Sequence, residues 1–400
     1  GQLLWGSNIT ALFKLCPDFP REVNEAVATR HLIYAAKDVD EQTFFRGVYQ
    51  LPKASYCEID CRQGPSQGPL EAVLFYTLRR FQRTEVVDDA EVAEWVDQYW
   101  RKFVLAVERR LVSDVPIAFE LSGGIDSSSI VAAALELLPL EKIHAFTVKF
   151  TKENQDEEPF ARAVFEHTGS KIQYHVIHPD NRDILSSMQS SIEWMEEPIF
   201  SPGGSGGFTY RHLAEKIAQA GNKVVISGSA GDELFGGYPE EFFYLYVESL
   251  LEAGYEDLAR QEMLNYSEKD LDIEEILPRI RAIKNYNVPF QKKFAPYIDS
   301  NEHVFYNTDD YSFSDKIAHW YTEFKVPYWL RAIDRSLMSI PIEGRYPFLD
   351  CEYAAFCLEI PQNLIFRNGW SKWIIRKAIE PKLPHEVVWR KNKMGFPFPI

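Results

Sequence analysis

Between Phe119 and Ile130 the chain reads FELSGGIDSSSI, and this stretch limits the possible folds more than any other. An apolar run ends at Leu121, then come Ser122, Gly123, Gly124, Ile125, Asp126 and Ser127, and an apolar-periodic segment begins. That order predicts a buried strand, a glycine turn and a helix start. The glycines let the backbone turn tightly and bring its amides close to a ligand. Ser122, Ser127 and Ser128 add hydroxyl donors at a helix N-terminus, where unpaired amides and the helix dipole favour an anion. A carboxylate beside a phosphate cradle is repulsive unless a cation sits between them, so Asp126 reads as a Mg²⁺ ligand. The plain alternative is a strand-to-helix turn that binds nothing.

The surrounding pattern predicts the fold. Strands at 117–121, 143–150, 172–177 and 223–227 alternate with helices at 128–138, 159–168 and 208–220. Near-continuous apolar strands joined by crossovers imply an α/β, doubly wound parallel sheet. Ligands on such sheets bind at the carboxyl ends of the strands, where this motif lies. Before the sheet, Val92, Val96, Tyr99, Phe103, Val107 and Leu111 form one apolar stripe of a long helix. Asp88 or Asp89 can cap its start, and Arg109 and Arg110 suit its end. After Tyr238 the chain turns helical and aromatic; Phe242, Phe243, Tyr244, Tyr246 and Leu250 read as core. Residues 1–60 show strand-like runs at 3–7 and 54–60, a strand–turn–strand pattern over Phe44–Tyr56 and a helical patch near 20–35. So short a segment cannot bury a core alone and must lean on the next domain or on sequence beyond this one. Cys61–Pro69 reads as a linker.

The net charge of −16 argues against a nucleic-acid backbone or an anionic membrane as partner. Five cysteines without a C-x-x-C pair read as reduced thiols of a cytoplasmic protein. No apolar run reaches the length of a membrane span, and GQLLWGSNIT is not a signal peptide. A start at Gly1 and an end at Ile400, just after a Gly-Phe-Pro-Phe-Pro run, suggest sequence beyond both ends.

Three more segments carry chemistry. Val225–Tyr238, VISGSAGDELFGGY, is again a buried strand ending in a glycine turn with acids. Asp232 there is placed to face Asp126, and two carboxylates suit a Mg²⁺ that keeps several waters. Its plain reading is a helix cap. Ser336–Asp350 holds Glu343, which could orient or deprotonate an amine or simply pair with Arg345. Trp370–Pro397 ends near Lys393, an ammonium that could reach a leaving pyrophosphate; most such lysines are solvated surface. Gly203–Gly207 fits G-x-S-x-G, but no strand precedes it, so it reads better as a loop over the substrate than as a hydrolase elbow.

No Walker loop occurs. SGGIDSS instead resembles the pyrophosphate-binding motif of ATP pyrophosphatases, and the four segments in this order resemble the synthetase domain of the asparagine synthetase family. That resemblance covers roughly residues 88–400 and implies an adenine-nucleotide α-hydrolase-like fold. WGSNITALF and FFRGVYQLPKASYCEID resemble the second half of the family's glutaminase domain. The implied division is an incomplete glutaminase-like part with linker at 1–69 and a synthetase domain at 70–400. The implied reaction uses ATP and Mg²⁺ to turn a small-molecule or peptide carboxylate into an acyl-adenylate, releases pyrophosphate, and lets ammonia or an amine attack, with glutamine one source of nitrogen. Ser122, Gly123, Gly124, Asp126 and Ser127 would hold pyrophosphate and Mg²⁺, with Asp232 the second metal carboxylate. Leu121, Val148 and Gly228 would give backbone contacts to the nucleotide, and Lys393 would stabilise pyrophosphate. Glu343 would match a carboxylate of the base dyad in β-lactam synthetases. A homodimer is left open.

Two departures bear on the product. The third position of SG-x-x-x-DE, an acid in asparagine synthetases and a tyrosine in β-lactam synthetases, is Ser229 here. Serine has no accessible basic form near neutral pH. Residue 1 is glycine, not the nucleophilic cysteine of a glutaminase. The readings are therefore a glutamine-dependent amidotransferase, an intramolecular or peptide cyclase like β-lactam synthetases and lasso-peptide macrolactam cyclases, or a ligase using a free amine. A nucleotide-binding scaffold without turnover is the non-enzymatic alternative.

Overall fold

The structure is a computed structural model that describes residues 3–34, 38, 40–60, 62, 71–78, 86–150, 156–178, 191–197, 208–267 and 311–391. Near the start, α1 (Ile9–Leu15) and α2 (Glu25–Tyr34) precede β1 (Ser55–Tyr56), which pairs antiparallel with β2 (Val73–Leu74). This corrects the strand expected at 3–7. Residues 3–7 are irregular, and the first helix begins after them, where Asn8 accepts a hydrogen bond from the Ala11 amide. Over Phe44–Tyr56 the expected strands reduce to bridges from Phe45 to Val23 and from Tyr49 to Gln42, followed by β1. The segment does lean on its neighbour. The Ile9 amide donates to Glu196 at 2.9 Å, Lys53 Nζ to the Thr322 carbonyl at 2.8 Å, and Asp38 pairs with Arg331 at 3.0 Å.

Helix α3 (Asp89–Glu108) begins at Asp88, whose carboxylate accepts from the Ala90 and Glu91 amides. Its stripe buries Tyr99, Phe103 and Val107. Arg109 and Arg110, beyond its end, reach across to Asp350 at 3.1 and 2.5 Å. They therefore tie two distant segments together as well as favouring a helix end.

The chain then forms β3 (Ile117–Glu120), α4 (Ile125–Leu137), β4 (His144–Val148), α5 (Glu158–His167), β5 (Gln173–Ile177), α6 (Phe208–Gln219) and β6 (Val224–Ile226). Short α7 (Gly231–Leu234) and longer α8 (Pro239–Glu252) follow. Later come α9 (Val326–Met338), β7 (Glu343–Arg345), α10 (Cys351–Cys357) and α11 (Trp373–Ile379). Five parallel strands make one sheet in the order β5-β4-β3-β6-β7. This is the expected doubly wound α/β fold. The chain runs outward from β3 to β5 and then returns to the other side of β3, so the strand order reverses between β3 and β6.

Both faces of the sheet are covered. Phe119 and Ile226 pack with α3 and α4, in a core that includes Phe242, Phe243 and Tyr246 of α8. Ala118, Phe146 and Val225 pack against Leu213 and Ile217 of α6 and Ile333 and Leu337 of α9. Helix α4 is buried from Ile125 through Ala134, as a helix wedged at the centre must be.

Candidate active site

The site is built where β3 and β6 stop. Phe119 pairs with Ile226, which sets Leu121 level with Gly228 two residues on. Glu120 pairs with Phe146, so Ser122 comes level with Val148 on the other side. Leu121, Val148 and Gly228 thus share one rim of the sheet. Gly123 has φ +74°, and a Cβ there would sit 2.5 Å from the Ala161 amide nitrogen of α5. Both the turn and the close approach of α5 require glycine. A Cβ on Gly228 would meet the Ser127 nitrogen at 2.9 Å, so the second loop can touch the first only through glycine.

Inside the first loop the serines brace the backbone. Ser122 Oγ accepts from the Gly124 amide at 3.1 Å and lies 3.0 Å from Ser127 Oγ. Ser127 Oγ accepts in turn from the Ser122 amide at 3.1 Å. Ser128 is fully buried, which removes it from the anion nest expected of all three serines.

Asp126 and Asp232 come together. Lys372 Nζ donates to Asp126 Oδ1 and Oδ2 at 2.7 and 2.5 Å and lies 2.6 Å from Asp232 Oδ1. One cation therefore touches both carboxylates. Two carboxylate oxygens converging on one point are a hard donor set that fits Mg²⁺, which takes few protein ligands. Lys372 is 2% exposed and sits in the left-handed region at φ +54°, one residue before α11. Sequence reasoning quoted its segment without giving it a role. The available signal was a lone lysine among Trp370, Trp373, Ile374 and Ile375, since a lysine inside an apolar run must find a partner. The following helix turn carries Arg376, whose Nε donates to the Ser371 carbonyl at 2.9 Å and fastens the segment. Burial lowers the Arg376 pKa to about 10, against the attraction of Asp126.

Ser229 is in the second loop, with its hydroxyl 3.0 Å from Ser227 Oγ. Ser227 Oγ donates at 2.6 Å to Glu120 Oε2 at the end of β3. Glu343 lies elsewhere. It pairs with Val224, at the amino ends of the strands, and its Oε1 accepts from Arg345 Nε at 2.8 Å. Arg345 Nη1 is held by the Arg110 and Val112 carbonyls at 2.8 and 2.7 Å. Glu343 is mostly exposed, pairs with Arg345 and lies at the other end of its strand from the rim, so the structure does not bring it to the two aspartates. Lys393 and the Gly203–Gly207 loop lie outside the described residues.

Comparison with known proteins places the chain in a family. The sequence model of the family described as Asparagine synthase matches residues 99–400. A putative glutamine-hydrolysing asparagine synthetase of Mycobacterium tuberculosis is 25% identical over 388 residues, covering 90% of this chain and 56% of that protein. Asparagine synthetase 1 of Bacillus subtilis is 28% identical over 357 residues, covering 81% and 52% respectively. A Gibberella zeae protein named amidase chry2 is 26% identical over 416 residues, covering 89% and 60%. The chain therefore spans only about half to three-fifths of these relatives' lengths. Among solved structures, the ammonia-dependent NAD synthetase of Campylobacter jejuni is 19% identical, covers 57% of this chain and 95% of its own, and has a TM-score of 0.27, too low to support an argument. With the family's match extending over about three-quarters of its length, the chain belongs to the asparagine synthase family.

Proposed function

We propose that this chain is an ATP-dependent amide-forming ligase that activates a carboxylate as its adenylate and passes the acyl group to ammonia or an amine. The observation that carries this is the convergence of Asp126 and Asp232, from two adjacent strand-end loops, on one cation. In this reading the amides of Ser122–Ser127 hold the pyrophosphate portion of ATP. Asp126 and Asp232 hold Mg²⁺, which supplies positive charge to offset that of the phosphates. Lys372 lends its ammonium to the same group, and Lys393 does so as pyrophosphate leaves. Leu121, Val148 and Gly228 offer backbone groups to the nucleoside at the rim. The carboxylate needs such activation because it is a poor electrophile until it carries a good leaving group.

ATP–pyrophosphate exchange tests the proposal, with a panel of carboxylic acids headed by aspartate. Exchange with at least one acid, reduced roughly 10²-fold or more in Asp126→Ala, is the expected result. No exchange with any acid, or exchange indifferent to Asp126→Ala, would sink it.

A second reading keeps the activation step and changes the acceptor. Ser229 stands where asparagine synthetases carry an acid, which puts asparagine as product in doubt and turns attention to an amine carried on the substrate itself, with an intramolecular amide as product. A cyclised product lighter than the substrate by one water, formed without added ammonia or glutamine, distinguishes it.

A further inference from the structure

One carboxyl beside the rim has no part in the proposal so far. Glu120 ends β3, immediately before the phosphate-facing turn. Its Oε2 accepts from Ser227 Oγ at 2.6 Å, and Oε1 is buried without a hydrogen-bond partner among the described residues. From Ser227 the chain of hydroxyls continues 3.0 Å to Ser229, which is half-buried in the loop facing the nest. With Ser227 donating to the carboxylate, Ser229 can donate to Ser227 and keep its own lone pairs as an acceptor.

We infer that Glu120 is the proton acceptor for amine attack, reached through Ser227 and Ser229. This rests on the reading of the chain as an amide-forming ligase. The nitrogen lone pair of a neutral amine forms the new C–N bond to the acyl carbon. The bond from that carbon to the bridging oxygen of the adenylate breaks, and its electron pair leaves on AMP. The surplus N–H proton passes to Ser229 Oγ, the Ser229 proton to Ser227 Oγ, and the Ser227 proton to Glu120. Both serines end as neutral hydroxyls and only Glu120 changes charge. A serine thus suffices at position 229 because it conducts the proton and does not have to keep it.

The surroundings suit an acceptor that works near neutrality. Burial pushes the Glu120 carboxyl up to about 7, against the opposing Ser227 hydrogen bond. Tyr210 of α6 hydrogen-bonds Ser229 and Ser227, and its own pKa is raised by burial and by Glu120. Tyr346, after β7, is raised by burial, Glu120, Tyr210 and Asp334 of α9. Both phenols stay neutral while Glu120 titrates, so they neither supply a counter-charge nor compete for the proton. An acceptor poised near the working pH gives the most effective proton transfer.

The test separates the half-reactions in Glu120→Gln, which keeps an oxygen for Ser227 but cannot take up the proton. ATP–pyrophosphate exchange precedes amine attack and is expected to stay within about twofold of wild type. Hydroxylamine, an amine nucleophilic without a base, should still be acylated at near the wild-type rate. Transfer to ammonia should fall roughly 10²-fold or more, and its wild-type rise with pH through an inflection near 7 should disappear. Loss of exchange in parallel with transfer, or an unchanged pH profile, would overturn the relay. If wild type exchanges with no acid, the ligase reading itself has failed; whether Glu120 is a poised proton acceptor behind Ser227 is then judged by ¹³C NMR titration of the glutamate-labelled full chain, with Glu120→Gln for assignment. A Glu120 carboxyl titrating near 7, and higher in Ser227→Ala, supports it, and one in the ordinary carboxylate range overturns it.

Discussion

Lys372 holds together two acids that would otherwise repel each other. With 3% of its side chain exposed, it offsets the charges of Asp126 and Asp232 at 2.5 to 2.6 Å. Removing one member of a buried ionic cluster leaves uncompensated charge and costs about 3–5 kcal/mol. Lys372→Met is therefore expected to lower the melting temperature markedly in buffer containing EDTA. Millimolar Mg²⁺ alone should then restore part of the loss, because a divalent cation can take the place of the ammonium between the same oxygens. Thermal melts of wild type and variant with and without Mg²⁺ check this. An equal response to Mg²⁺ in both would mean that the carboxylates do not form a cation site.

At the scale of elements, the end of α3 is fastened to the start of α10 through Asp350. That carboxylate caps α10 by accepting from the Glu352 and Tyr353 amides at 3.2 and 3.1 Å, and it also meets Arg109 and Arg110. Burial alone would raise its pKa, but the Tyr353 amide and the two guanidiniums together hold it below the ordinary aspartate value. A carboxyl depressed on folding contributes stability above its unfolded pKa and loses it as the pH falls through the folded value. That window lies below about pH 4. Asp350→Asn should cost about 1–3 kcal/mol near pH 7, with the difference from wild type shrinking on acidification through the window. Urea denaturation at pH 7 and pH 3 reads it; a difference that stays constant would show that the ionised form is not what matters.

Over the whole molecule, the nest with Asp126, the loop with Asp232, and Lys372 come from three separate stretches of chain, and a ligand that touches all of them should brace the fold. A ligand bound only by the native state adds about 2.7 kcal/mol at a concentration of 100 Kd. Saturating Mg-ATP is expected to raise the melting temperature of wild type, and much less that of Asp232→Asn. The same shift in both proteins would place the nucleotide elsewhere. Such a site was only partly visible beforehand. Asp126 and Asp232 could be paired because each follows an apolar strand and a glycine turn, a local pattern. Glu343 could not be located from its neighbours in sequence, because only the parallel register with Val224 reveals which end of the sheet it occupies. Glu120 was passed over for the same reason, and Lys372, whose apolar neighbours demanded a partner without naming one, finds it only more than a hundred positions away. In the first sixty residues, Ile9–Leu15 is too short to show a helical period, and its start is set by the single side chain of Asn8.

The sequence alone determined the alternation of strands and helices, the hand-over from strand to glycine turn to helix, and the chemistry each turn can offer. These depend on local propensity and on periodicity, which a stretch of ten or twenty residues fully expresses. Tertiary structure decided which charged groups meet: Lys372 between the two aspartates, Glu120 behind the serines, Glu343 at the far end. Long-range pairing follows from strand order and register, and no single stretch of chain contains either.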